Sequence, residues 1–128
     1  MIRGTTPTLG ALCDMDLTNF TNICTVEQED LQYDITPTVI KTDSGCLIYA
    51  TLTQEQTLSF KANENYSAQM RSIDSNGFCV ANAIFTGYVE DVLKNGVITH
   101  EEQTLNVIPN PITPTPSDII DDPLHPNI

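Results

Sequence analysis

Tryptophan is absent, lysine and arginine together number only 5, and no apolar run is long. Each shortage excludes something. Against 17 acidic residues the few cations leave a net charge of −12, which argues against the phosphate contacts of nucleic-acid binding and against an anionic membrane surface. It favours solubility and basic partners without identifying one. No stretch approaches the roughly 18 apolar residues of a membrane helix. Without tryptophan, a core must rest on Leu, Ile, Val, four Phe and four Tyr. The cysteines, Cys13, Cys24, Cys46 and Cys79, form no C-x-x-C pair, so a zinc site is not expected. They read as small buried hydrophobes, with a disulfide as the alternative.

The motifs of catalysis are missing too. No phosphate-cradling glycine loop, H-E-x-x-H or G-x-S-x-G occurs. The only imidazoles are His100 and His125. His100-Glu101-Glu102 reads as a solvated loop rather than an acid–base cluster. Asp14 and Asp16 lack the glycine and terminal glutamate of a calcium loop, and Asp118, Asp121 and Asp122 read as a charged tail. No catalytic residue, cofactor or metal ligand is therefore expected, and the chain does not read as an enzyme. Residues 1–8 carry one cation and no apolar stretch, so no signal peptide is read and the product is expected to be made, or assembled, in a bacterial cytoplasm.

What is present is β-pattern. Residues 46–52 are a mostly apolar strand. Thr53 with Gln56 three residues later fits a capping box, predicting one helical turn where that strand stops. Two further runs, residues 66–74 and 78–88, flank Ser75-Asn76-Gly77 and predict a hairpin. Its second arm is apolar on both faces, with Val80 and Ile84 on one and Phe85 on the other, which predicts a central strand. Upstream, residues 19–27, 32–36 and 38–42 read as strands, and Pro7 marks residues 5–9 as extended. Residues 10–18 have no clear pattern. The expected core is Leu47, Tyr49, Leu52, Leu58, Phe60, Met70, Val80, Ile84 and Phe85. These elements make a small all-β sandwich over residues 10–105, preceded by an extended arm, residues 1–9. Residues 106–128 hold prolines at 109, 111, 114, 116, 123 and 126. Such a segment joins neither ladder nor helix and is expected to be an extended, PPII-like arm, disordered alone in water.

Three stretches carry a resemblance. Met1-Ile2-Arg3-Gly4-Thr5-Thr6-Pro7-Thr8 is similar to the opening of short phage and prophage proteins of gut bacteria. Leu52-Thr53-Gln54-Glu55-Gln56-Thr57-Leu58-Ser59-Phe60 resembles their L-T-Q-E-x-T-x-x-F segment. The turn Asp74-Ser75-Asn76-Gly77 resembles their hairpin, and the same order of elements occurs in the immunoglobulin-like N-terminal domain of phage baseplate upper proteins. The likeness covers residues 1–8 and 46–93 at motif level. It departs over residues 9–45, where Leu9-Gly10-Ala11-Leu12-Cys13 stands in place of an F-T-L-P-F strand, and the Pro-rich tail is outside it.

The resemblance implies an immunoglobulin-like β-sandwich in a phage virion structural protein of the tail, baseplate or neck. It would be a homo-oligomer touching its own copies and other virion proteins, and neither nucleic acid nor membrane. The alternatives are a capsid auxiliary or decoration protein, and a small acidic inhibitor that mimics nucleic acid against a host enzyme. Under the structural reading the termini carry the inter-subunit contacts. At the N-terminus these are Ile2, Arg3, Thr5, Pro7 and Leu9. In the tail they are Val107, Ile108, Pro109, Pro111, Ile112 and Pro114, then Ile119, Ile120 and Leu124.

Overall fold

A computed structural model describes residues 1–99. Eight strands and one short helix make two antiparallel sheets facing each other across one core. The strands are β1 (Thr8–Cys13), β2 (Thr21–Gln28), β3 (Leu31–Ile35), β4 (Thr38–Thr42), β5 (Gly45–Thr51), β6 (Asn65–Ile73), β7 (Cys79–Ala81) and β8 (Phe85–Tyr88), with α1 (Gln54–Leu58) between β5 and β6. The smaller sheet has the order β1-β5-β4. The larger runs β3-β2-β6, and its last row is filled in turn by β7 and β8, both paired with β6. The expected all-β sandwich is thus the architecture found.

Local rules account for most elements. Thr53 caps α1: its hydroxyl accepts from the Gln56 amide at 3.1 Å, and the Gln56 side chain accepts from the Thr53 amide at 2.8 Å. After β6 the chain reverses through residues 74–78, where the Asp74 carboxylate accepts from the amides of Asn76 (2.9 Å) and Phe78 (2.8 Å). Only Gly77 takes a positive φ there, +87°, and the reversal is a five-residue Asx-type loop, one residue longer at each end than the Ser75-Asn76-Gly77 turn read from the sequence. The structure also supplies a strand where no pattern was clear. β1 begins at Thr8, so the expected boundary between arm and domain after Leu9 falls inside a strand.

The core is one cluster drawn from both sheets. Leu9, Ala11, Cys13, Cys46, Ile48 and Ala50 point inward from the smaller sheet, and Cys24, Val26, Tyr66, Ala68, Met70 and Val80 from the larger. Leu17, Leu52, Phe60 and Val89 close the rim. The rings of Phe60 and Tyr66 lie in this cluster with their centroids 6.3 Å apart. Three expectations are corrected here. On β5 the inward face carries Cys46, Ile48 and Ala50, while Leu47 and Tyr49 face outward and are only half-buried. Leu58 and Phe85 are likewise only half-buried. Cys79 is exposed, unlike the other three cysteines, all of which are free thiols; burial pushes the Cys24 thiol up to about 12.

Ile84 is the third correction, and its cause is a bulge. Ala81 stands opposite Arg71 and Phe85 opposite Ala68, so residues 82–84 face only Gln69 and Met70. One extra residue inverts the alternation beyond it. Val80 therefore faces in, whereas Ile84 faces out and is 65% exposed. The return arm is consequently an interrupted edge, not a central strand. Asn82 holds the bulge: buried at 1% exposure, its side-chain Oδ1 accepts from the Met70 backbone N–H at 2.8 Å and its backbone N–H donates to the Met70 carbonyl at 3.2 Å. Asn82→Ala orphans the Met70 amide inside the core, and we expect a loss of about 1–3 kcal/mol in urea unfolding. A loss below about 0.5 kcal/mol would show that the bulge stands without it.

Candidate interaction surface

Residues 1–7, expected to reach a neighbouring subunit, fold onto their own domain. Met1 is buried, and its ammonium donates to the Tyr88 carbonyl at 3.0 Å. Ile2 forms a parallel bridge with Glu90, flanked by the bonds Glu90 N–H to Met1 O (2.7 Å) and Arg3 N–H to Glu90 O (3.0 Å). The Arg3 guanidinium spans three partners: the Asp91 carboxylate at 2.8 Å, the Leu58 carbonyl at 2.8 Å and Asn95 Oδ1 at 3.3 Å. The Val92 amide and Arg3 hold the Asp91 carboxyl below its ordinary value. That contact is therefore complete at neutral pH and is lost as the pH falls through the lowered value.

The buried Thr57 hydroxyl completes the clamp. It accepts from the Gly4 amide at 2.9 Å and donates to the Thr5 carbonyl at 2.8 Å. Leu9 lies in the core at 0% exposure and so cannot serve a neighbour; this corrects its place among the interface residues. Ile2 remains 44% exposed, Thr5 is exposed and Pro7 half-buried. Val107, Ile108, Pro109, Pro111, Ile112, Pro114, Ile119, Ile120 and Leu124 lie outside the described residues, as do His100, His125, Asp118, Asp121 and Asp122.

The outer faces of the two sheets differ in kind. On the larger sheet, Glu27, Gln32, Gln69 and Arg71 line a shallow groove of about 250 Å³ with Ile84 at its edge. Beside it Thr25 on β2 donates to its register partner Asp34 on β3 at 2.8 Å. This face can donate and accept hydrogen bonds. Asp16, on the loop after β1, uses its carboxylate to accept from the Thr18 amide at 3.0 Å, which lowers its pKa. That is a loop cap, and Lys41 Nζ lies 3.8 Å from its other oxygen. Among the described residues no group of three His, Cys, Asp or Glu side chains is placed to hold a metal, and no helix is long and apolar enough to cross a membrane.

The smaller sheet presents an uncharged face. Leu12 and Ile40 both stand opposite Leu47, forming one apolar row across β1, β5 and β4. Leu12 is 61% exposed and Ile40 47%. Tyr49 sits one step along, with its Cβ 3.5 Å from where a Cβ on Gly10 would be. The remaining outward positions of these strands are threonine or glycine, and Thr8 and Thr51 bond to each other at 3.0 Å. Sequence reading missed this face, because the row exists only once the register is known. A usable signal was present: alternate positions in three strands all lack charge in a strongly acidic chain. Comparison with protein-family models, curated proteins and solved structures found no match.

Proposed function

We propose that the chain is a structural subunit of a phage particle, in its tail, baseplate or neck, joined to its own copies and to other virion proteins through sandwich surfaces and terminal segments. The supporting observation is spatial. Two of the stretches that resemble phage proteins are far apart in sequence yet meet in the fold. Thr57 and Leu58, from the L-T-Q-E-x-T-x-x-F-like stretch, hold Arg3, Gly4 and Thr5 of the opening stretch through three hydrogen bonds. In this chain the two stretches form one structural unit, a clamp that fastens the N-terminus beside α1. A scaffold of this kind offers faces and edges for lateral contact.

The test is to purify particles of the phage that carries this sequence, identify their proteins by mass spectrometry, and label them with gold-conjugated antibody raised against the chain. Label at the tail or neck is expected. Label over the head would replace that placement with a capsid decoration role. Absence of the chain from purified particles would overturn the structural reading.

A further inference from the structure

Lysine and arginine number only 5 in this chain, and all but one are engaged. Arg3, Lys41 and Lys61 face the carboxylates of Asp91, Asp16 and Glu29, and Lys94 also has a partner. Arg71 makes no hydrogen bond or ion pair among the described residues, although the chain carries 17 acidic residues. We propose that the groove it lines, on the outer face of the larger sheet, binds an extended segment of a partner protein that carries a carboxylate and, four residues away, a cation. The carboxylate pairs with Arg71 and the cation with Glu27.

The spacing comes from the register. Across β2 and β6, Glu27 stands opposite Ser67, Thr25 opposite Gln69, and Ile23 opposite Arg71. These positions alternate with the buried Val26, Ala68 and Met70, so Glu27 and Arg71 project from the same outer face. From the Glu27 row to the Arg71 row is about 13 Å along the strands. Both residues line the one groove, at its two ends. In an extended peptide the side chains of residues i and i+4 leave the same face, again about 13 Å apart. Two such charges reach Arg71 and Glu27 together without any bend in the peptide.

The chemistry along the groove fits the same occupant. The Arg71 guanidinium offers a planar fork of N–H donors that matches a carboxylate. Glu27 likewise has no hydrogen bond or ion pair among the described residues, and its carboxylate accepts from an ammonium or guanidinium. Between them, Gln69 gives its Nε2 to the Asn82 carbonyl at 3.0 Å and keeps Oε1 to accept from a peptide N–H. The bulge supplies an apolar contact beside that middle row. It turns Ile84 outward at the groove edge, 65% exposed, a re-aiming that bulges perform next to functional sites. An aliphatic residue at i+2 of the bound segment meets it.

Other occupants fit less well. No aromatic ring lines the groove, so it offers no stacking platform for a nucleobase. A second copy of the chain brings its own charge of −12 to the encounter. A different protein is therefore the source of the segment.

The test titrates the isotope-labelled full chain with the peptide acetyl-Glu-Thr-Val-Thr-Lys-amide at millimolar concentration, followed by amide nuclear magnetic resonance. Shifts are expected at Thr25, Gln69 and Ile84, and should weaken as salt is raised. Arg71→Gln, or a peptide with Gln in place of its Glu, should each weaken binding roughly two- to five-fold. The two changes together should weaken it no further than either alone, because they remove the same contact. Arg71 is exposed, and unmoved amides at the buried Leu9 and Ile48 report that the variant is folded. Absence of groove shifts, or shifts that Arg71→Gln leaves unchanged, would overturn the proposal. Groove shifts that appear on concentrating the protein alone would also overturn it, by giving the groove to a second copy. Neither outcome touches the particle assignment, which the antibody label reads separately.

Discussion

Phe60→Ala is expected to lower the unfolding free energy by about 3–5 kcal/mol. The ring is 1% exposed and sits where the chain leaves α1 and turns toward β6. Tyr33 meets it edge-on at 5.9 Å with an interplanar angle of 89°, and Tyr66 lies 6.3 Å away. Truncation therefore removes apolar burial and two ring contacts together, and leaves a space that the β-sheet backbone on either side cannot close. A domain of this size has roughly 5–15 kcal/mol in total, so the variant would sit near the edge of folding. Urea unfolding reads the effect as a fall in midpoint at unchanged slope. Phe85, only half-buried, should lose clearly less under the same substitution. Equal losses at the two positions would contradict the packing described here.

Gly45→Ala should be similarly damaging, about 3 kcal/mol or more, for a reason unrelated to hydrophobicity. A Cβ at residue 45 would lie 1.9 Å from the Cys13 carbonyl oxygen, 2.8 Å from the Cys13 carbonyl carbon and 2.9 Å from that of Asp14. All three are backbone atoms, so no side chain can swing aside. The Cys13–Cys46 pairing holds that carbonyl in the β1–β5 ladder, and relief requires parting the ends of two strands. Gly77→Ala is the control. It also places alanine at positive φ, +87°, but nothing lies within 4 Å of the added methyl, so it should lose only about 1 kcal/mol. A thermal or urea melt in which both variants lose the same amount would show that backbone conformation, not the clash, sets the requirement at Gly45.

These two positions were not equally visible beforehand. Phe60 was legible in the sequence as a core residue, because an aromatic ring closing a capped helical turn in an acidic chain has few other places to go. Gly45 was legible only as part of a turn. Its contact with Cys13 joins residues whose pairing no local pattern reveals. The site residues divide in the same way. Ile2, Arg3 and Thr5 were singled out for a role in contacts, but their partners are Glu90, Asp91, Leu58 and Thr57 of the same chain. Nothing in the composition of residues 1–7 states that the contact is internal. The uncharged outer face could not be seen from any one strand.

By itself the sequence determined the class of fold, the positions of β2 to β6, the capped turn at Thr53 and the reversal near Gly77. These follow from short-range causes: alternation of period two, β-branched residues, side chains that satisfy helix-end amides, and glycine where φ is positive. Only the tertiary structure decided which face of each strand points inward. In Cys46-Leu47-Ile48-Tyr49-Ala50 both alternating sets are apolar, so the choice rests on what the opposite sheet supplies. The opposite sheet supplies Cys24, Val26, Tyr66, Ala68, Met70 and Val80, and the face of β5 turned toward them is Cys46, Ile48 and Ala50. The bulge at Asn82 was decided in the same way, since inverting the alternation is favourable only where Met70 offers an amide and a carbonyl to hold the extra residue. Burial direction depends on two surfaces at once, and a single strand carries information about one of them.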